Sequence, residues 1–496
     1  MKPAPSAPLE HSAADKNGLF IGVVCGLLVF LMAARTPLDS DLWWHLRAGE
    51  ETLRLGQPLL RDTLSYTRVT ADWINHSWLA QVGMVLLFRW TGFLGLGLAV
   101  AGLAAFSLGW VYRQMSGPPL WRAFLVILAA LVVAPVWSVR PQILSLVCLV
   151  AVNQIVMNAL QGRGKLFWLA PLFVLWSNLH GGYVLGLMLL GCELAGGLFE
   201  RWMKQPGAPN GRALLRLGGW TLAAGVAVLV NPNGLDMWRI PFQTVGVQVL
   251  QQAIPEWAAA DFHQAVQMPF LLMLAGLMGA LALAGQRVRA GELLKVMLFA
   301  ALGLSARRNF GPFALLALPL LSQAGWMVLA RATDGLRGKG SRTAPSRDLP
   351  LGVQKVFNLS IVAVLALAAA IKVYAVTQPA LVAMYERQNF PAGAVEWLKA
   401  DQPRGRLFNA YEWGGYLTWR LPEYPVFVDG RTDLFGDEII GEWLKVVNAG
   451  EGWEASLDRW YVDLVLLSPG YPLVDALDGA GWVRLYEDEQ AVVMGR

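Results

Sequence analysis

Two carboxylates, Asp39 and Asp41, stand two residues apart just after the first apolar run of the chain. In an extended segment, side chains at i and i+2 share a face, so both can serve one site. They can share a divalent cation, magnesium or manganese, or one can take the proton of an acceptor hydroxyl as a base. The same residues suit a helix start: Asp39, Ser40 or Asp41 can cap a helix from Leu42 to about Leu55. Trp43 and Trp44 follow. Paired Trp at that place can seat the segment at the headgroup level of a membrane.

Further polar clusters recur beside apolar runs. His76 and Trp78 begin one, as site residues or as anchors of an interfacial helix. Ser177, Asn178 and His180 precede the pair Gly181-Gly182. Polar groups at that depth generally face a cavity or a partner, and a turn also uses them. Arg307 and Arg308 form a basic pair that suits a phosphate through bidentate geometry, or headgroups by snorkelling. Arg140 carries the same two readings. Glu256 and His263 are candidates for acid–base or metal work, and equally for solvated loop charges. Near the C-terminus, Tyr411-Glu412-Trp413-Gly414-Gly415-Tyr416-Leu417 precedes Val426-Phe427-Val428-Asp429-Gly430-Arg431-Thr432-Asp433. A β-run that ends in such a polar loop is a common site shape, and Asp429 with Arg431 can instead pair to close the loop. The chain holds no P-loop, zincin motif or Gly-x-Ser-x-Gly elbow, which leaves nucleotide-driven transport and serine hydrolysis unsupported.

These clusters must be positioned by membrane helices. The 496 residues are 55% hydrophobic and 15% charged, too apolar for an ordinary soluble protein. The spacing predicts spans near 18–35, 92–112, 119–137, 141–160, 165–178, 182–201, 213–230, 267–285, 292–306, 310–330 and 356–376. Segment 77–90 is short for a span and reads as an interfacial or re-entrant helix. The net charge of +5 comes mainly from short loops and is no nucleic-acid signal. Cys25, Cys148 and Cys192 fall inside apolar runs and read as small buried hydrophobes.

Loop charge orients the chain. The loops holding Arg113, Arg163, Arg201, Arg287 and the run from Arg331 are basic and read as cytoplasmic. The expected organisation is a cytoplasmic N-terminus at 1–17 and a transmembrane domain at 18–330 with outer loops 36–76 and 231–266. A cytoplasmic linker at 331–354, a last helix at 355–376 and a periplasmic α/β domain at 377–496 follow. If 77–90 crosses the membrane, one terminus changes sides. In the tail, β-type runs at 406–410, 425–429, 464–468 and 483–494 alternate with helical patterns at 391–401, 436–449 and 452–460.

The ordered set of Asp39-x-Asp41-x-Trp-Trp-His, Gly56-x-Pro, Asp62, Ser65, Trp73 and His76-x-Trp78-Leu79, with many spans and an outer tail, resembles the GT-C superfamily. That group includes oligosaccharyltransferase catalytic subunits, protein O-mannosyltransferases and lipid A aminoarabinose transferases. Asn178-Leu179-His180-Gly181-Gly182 is similar to a segment of uncharacterised bacterial members. Tyr411-Glu412-Trp413-Gly414-Gly415-Tyr416 is loosely similar to the Trp-Trp-Asp-Tyr-Gly motif of oligosaccharyltransferases but lacks its Asp, so peptide-sequon recognition is not carried over.

The resemblance implies an α-helical polytopic membrane protein of about 11–12 spans with a C-terminal extracytoplasmic α/β domain, in a bacterial inner membrane. It implies an inverting glycosyltransferase with a polyprenyl phosphate or diphosphate sugar donor and a lipid, glycan or protein acceptor, working beside other envelope-glycan assembly proteins. Asp39 or Asp41 would then be the base or hold a divalent cation. Arg307, Arg308 and Arg140 would meet the leaving phosphate. His45, His76, His180 and Glu256 would line the acceptor side. Trp413, Asp429 and Arg431 would serve the acceptor from the tail. Two rival readings belong to other classes: a transporter or flippase for lipid-linked glycans, and a non-catalytic assembly subunit. A transporter needs polar groups near the bilayer midplane, whereas these lie at one face.

Overall fold

A computed structural model describes residues 12–242, 256–336 and 350–496. Parts of the expected N-terminal segment 1–17, outer loop 231–266 and linker 331–354 therefore lie outside the described residues.

Every segment expected to span coincides with a helix. Seven helices are long and apolar enough to cross a membrane: Trp78–Gln114, Pro119–Val136, Gln142–Leu160, Tyr183–Trp202, Ala265–Ala284, Arg307–Thr333 and Leu351–Val376. The remaining four expected spans are shorter. They fall on Gly18–Ala33, Leu166–Leu179, Gly211–Ala227 and Ala290–Ser305. At about 1.5 Å per residue, their 14 to 17 residues give roughly 21–26 Å, less than the full apolar thickness of a bilayer. We label the first helices α1 (Ser12–Ala33), α2 (Leu42–Leu55), α3 (Trp78–Gln114), α4 (Pro119–Val133) and α5 (Gln142–Leu160).

Segment 77–90 opens α3, but Gly92 interrupts that helix with φ 61° and ψ −148°. A side chain rarely adopts that backbone, so the glycine divides an amphipathic piece from the apolar span behind it. Arg89 ties the amphipathic piece to α2 through Glu50, 2.9 Å away.

Helix α2 has the bounds expected from its pattern. Its tryptophans do something else. Trp43 is fully buried, and its ring packs edge-on to Phe93, Phe390 and Tyr416 at 6.1, 5.9 and 5.3 Å. It is a joint between the helical bundle and the tail rather than a headgroup anchor. Aromatic rings bury much area and prefer such edge contacts.

The tail is the expected α/β unit. Its four-stranded sheet has the order β1-β2-β4-β3, with β1 (Arg406–Asn409), β2 (Val462–Leu467), β3 (Val483–Glu487) and β4 (Val492–Gly495). β1 and β2 pair parallel; β4 pairs antiparallel with both β2 and β3. The expected run 483–494 is thus a hairpin of two strands. The expected run 425–429 is no strand of this sheet. Val426 instead makes a single parallel bridge to Ser65 of the first loop.

That bridge belongs to a wider seam. Thr67 Oγ1 donates to Phe427 O at 2.6 Å, and Tyr66 Oη donates to Leu407 O at 3.3 Å. At its centre, Arg431 reaches Asp62 at 2.6 Å and Asp429 at 2.7 Å, all three side chains fully buried. Burial opposes the charge of Arg431, yet Asp429 and Asp62 outweigh it and raise its pKa. A buried ion pair is costly to break, since the stranded partner keeps its desolvation penalty. The tail is therefore locked over the first loop.

Candidate functional site

A cavity of about 1220 Å³ lies where the first loop, the bundle and the tail meet. Asp41 reaches it because the start of α2 is built in an unusual way. Asp41 occupies the N-cap position but makes no side-chain capping bond. Its own backbone N–H is held by Asp39 Oδ1 at 2.9 Å. Asp39 thus organises the turn, and the Asp41 carboxylate is left to line the cavity. Asp39 itself faces a smaller neighbouring hollow beside Arg35 and Trp137.

Arg140 sits in the turn between α4 and α5, just before Pro141 at the N-cap position of α5. Its guanidinium gathers three carboxylates: Asp39 at 2.6 Å, Asp41 at 3.0 Å and Glu256 at 3.3 Å. Burial disfavours its charge, but the three acids win and raise its pKa. For Asp41, burial is the leading influence and pushes the carboxyl up; Arg140 pulls it down, Asp39 and Glu256 push it up again. The result is about 6. A carboxylate poised near neutrality can accept a proton in a reaction and still be ionised at pH 7.

Arg308 lines the same cavity. Its guanidinium lies 4.2 Å over the ring of Trp257, and its backbone N–H donates to Glu256 O at 3.1 Å. It makes no salt bridge among the described residues. Arg307 turns elsewhere: its Nε donates to Ala259 O at 3.4 Å, and it is absent from the cavity wall.

Three histidines complete the bundle side. Gly181 N–H donates to His76 Nδ1 at 3.1 Å, and Gly182 N–H donates to His180 Nδ1 at 3.0 Å. A nitrogen that accepts from backbone N–H carries no hydrogen itself, so each neutral ring holds its hydrogen on Nε2. The two rings meet edge-on at 5.7 Å. Burial lowers the pKa of His45, His76 and His180, and the neutral forms prevail at pH 7. Asn178, by contrast, is structural. It accepts from Trp78 Nε1 at 2.7 Å and donates to Val174 O and Val230 O, each at 2.8 Å.

The tail contributes Tyr411, Glu412, Gly430, Thr432 and Asp433 to the wall. These belong to the two segments singled out by sequence, but they are neighbours of the residues expected there. Trp413 is buried and donates from Nε1 to Asn389 O at 3.2 Å. Asp429 and Arg431 are spent on the seam with Asp62. The loop turns sharply enough that Gly430 faces Asp41: a Cβ there would lie 2.0 Å from Asp41 Oδ1. His263 is exposed and pairs with Asp261 at 3.0 Å.

The fold has a counterpart of known structure. The oligosaccharyltransferase of Archaeoglobus fulgidus, solved in the apo form, superposes with a TM-score of 0.52 over 91% of this chain and 69% of its own, at 11% identity. The likeness is one of fold: the chain is an α-helical polytopic membrane protein with a small C-terminal sheet, and it shares the fold of that protein over most of its length. No protein-family model and no curated protein matches the sequence.

The residues do not fit the divalent cation that an Asp-x-Asp pair suggests. The Arg140 guanidinium stands where the carboxylates converge, and Asp39 is committed to it and to the backbone. Among the described residues no group of three or more His, Cys, Asp or Glu side chains is arranged to hold a metal ion.

Proposed function

We propose that the chain is a membrane glycosyltransferase that moves a sugar from a polyprenyl phosphate or diphosphate to a hydroxyl-bearing lipid, glycan or protein acceptor. The observation that carries this reading is the meeting of Asp41, Arg140, Glu256 and Arg308 in one large cavity at the mouth of the helical bundle. The fold shared with an oligosaccharyltransferase supports it.

In this reading Asp41 is the base. As the acceptor oxygen bonds to the anomeric carbon, its proton passes to Asp41 Oδ. The bond from that carbon to the phosphate oxygen breaks, and its electron pair leaves on the phosphate. Attack opposite the leaving group inverts the configuration. Arg308, a cation with no acidic partner within salt-bridge distance among the described residues, meets the charge that develops there. Its stacking on Trp257 holds the guanidinium in place. Arg140 and Asp39 position Asp41. Leu146, Leu185, Met188 and Pro312 give the cavity an apolar flank for the prenyl chain. Neutral His76 and His180 offer Nε2–H donors for sugar hydroxyls.

The tail roofs the cavity, so in this reading it lies on the extracytoplasmic, periplasmic face of a bacterial inner membrane, where other envelope-glycan assembly proteins act. Mass spectrometry of lipids co-purified with the protein should find a polyprenyl-linked sugar. Wild-type protein in lipid nanodiscs should turn that lipid over, and D41N should not. Full turnover by D41N refutes the assignment. A reporter fused after Arg496 that is active only in the cytoplasm refutes the orientation.

A further inference from the structure

We infer that Arg140 is a built-in substitute for a divalent cation, which makes this site metal-independent. The inference rests on the glycosyl-transfer reading for what Asp41 does, while its geometry and its test stand apart from any turnover.

A divalent ion between acidic side chains does two things: it neutralises them and it fixes their directions. Arg140 does both. Its Nε donates to Asp39 Oδ1 at 2.6 Å, its Nη1 lies 3.0 Å from Asp41 Oδ2, and Nη1 also faces Glu256 Oε2 at 3.3 Å and Oε1 at 3.4 Å. The three acids come from two distant stretches of chain, the first loop and Glu256 beside Trp257, and meet at this guanidinium. A planar guanidinium presents donors in fixed directions, so it can hold several carboxylates at set angles. It is delivered by the short turn between α4 and α5, with Pro141 behind it, and cannot be removed as an ion can.

The carboxylates are therefore satisfied before any metal arrives. An incoming divalent ion would have to displace a tethered cation and face its repulsion at about 3 Å, a distance at which like charges cost several kcal/mol inside a protein. Removing the guanidinium reverses the situation. Asp39, Asp41 and Glu256 then form an uncompensated acidic cluster of the kind oxygen-loving cations seek. Arg140 acts through Asp41 and is a positioning residue.

The test uses the full chain in nanodiscs, dialysed against EDTA and titrated with manganese chloride, with free manganese read by electron paramagnetic resonance. Wild type should show no saturable binding up to about 1 mM. R140A should bind one manganese ion at least ~10-fold more tightly than wild type. R140K, which keeps the charge, should behave as wild type. A merely structural arginine would not produce this exchange of one cation for another. Saturable binding by wild type that D39N removes overturns the inference, and so does a folded R140A that gains no manganese. Should R140A fail to fold, R140Q replaces it; should neither fold, the wild-type and D39N titrations decide. The glycosyl-transfer reading fails separately, through full turnover by D41N.

Discussion

Asp41→Asn should make the protein more stable at neutral pH, and less so as the pH falls. The Asp41 carboxyl has an ordinary value of 3.8 and reaches about 6 in its site, chiefly through burial. The folded state therefore holds this proton more tightly than the unfolded state does. The contribution of this one group to stability is most favourable below pH 3.8, falls as the pH rises through the window from 3.8 to 6, and stays at its lower value above. The gap corresponds to roughly 3 kcal/mol at about 1.4 kcal/mol per tenfold. The Asp41 side chain keeps 19% of its exposure, so roughly 1–3 kcal/mol is the expected range. Asparagine has nearly the same shape and cannot ionise. It does not strand Arg140, which retains Asp39 and Glu256. Paired thermal unfolding scans of wild type and D41N at matched scan rate, from pH 4 to pH 8, isolate this one group, because all others titrate in both proteins. The variant should melt a few degrees higher at pH 7.5, and the curves should converge near pH 4. A variant equally or less stable at pH 7.5, or a gap that does not depend on pH, would show that Asp41 carries no burial penalty. The argument for a poised base would then fail. Stability gained with activity lost is the pattern of a residue kept for its chemistry.

Turnover should rise with pH through about 6 as Asp41 loses its proton; a profile flat from pH 5 to 8 would assign the base elsewhere. Gly430→Ala should cost about 100-fold in kcat, because the new Cβ would lie 2.0 Å from Asp41 Oδ1 and displace it; near-normal kcat would mean that the position of Asp41 is not critical. Arg431→Met should destabilise the protein by about 3–5 kcal/mol and open the tail to limited proteolysis, since it strands Asp62 and Asp429 without a counter-charge; an unchanged cleavage pattern would contradict the seam described above. Arg308→Ala should lower kcat at least ~100-fold while Arg307→Ala leaves it near wild type, and equal losses for both would refute the distinction between them.

The eleven apolar segments were legible because the signal for a membrane helix is local: enough consecutive apolar residues, with the backbone satisfied inside one helix. Helix α2 was legible for a similar reason, its amphipathic spacing and the Asp-Ser-Asp start. The boundary at Gly92 and the α/β nature of the tail followed from composition and short-range pattern. Arg140, Glu256, Arg308 and the histidines were identified as chemistry-bearing types in apolar surroundings, which is a local property too.

What the sequence alone left open was which member of each pair would work. Asp39 and Asp41 have the same neighbours in sequence and both meet Arg140, yet Asp39 also accepts a backbone N–H and faces a side hollow, while Asp41 lines the large cavity. Arg307 and Arg308 differ in which way a short 3-10 turn carries them past residues 256–259, to whose carbonyls their backbone N–H groups donate. Asp429 and Arg431 were taken by Asp62, more than 360 residues earlier, and this turned Gly430 and Asp433 to the cavity. Adjacent residues in a loop point in different directions, and the direction that faces the site is set by whichever distant group is buried against the other. Amino-acid types and their spacing determined a bundle of membrane helices with a polar rim. Only tertiary packing, through long-range pairing of buried charges, decided which of those polar groups are structural and which stand free to react.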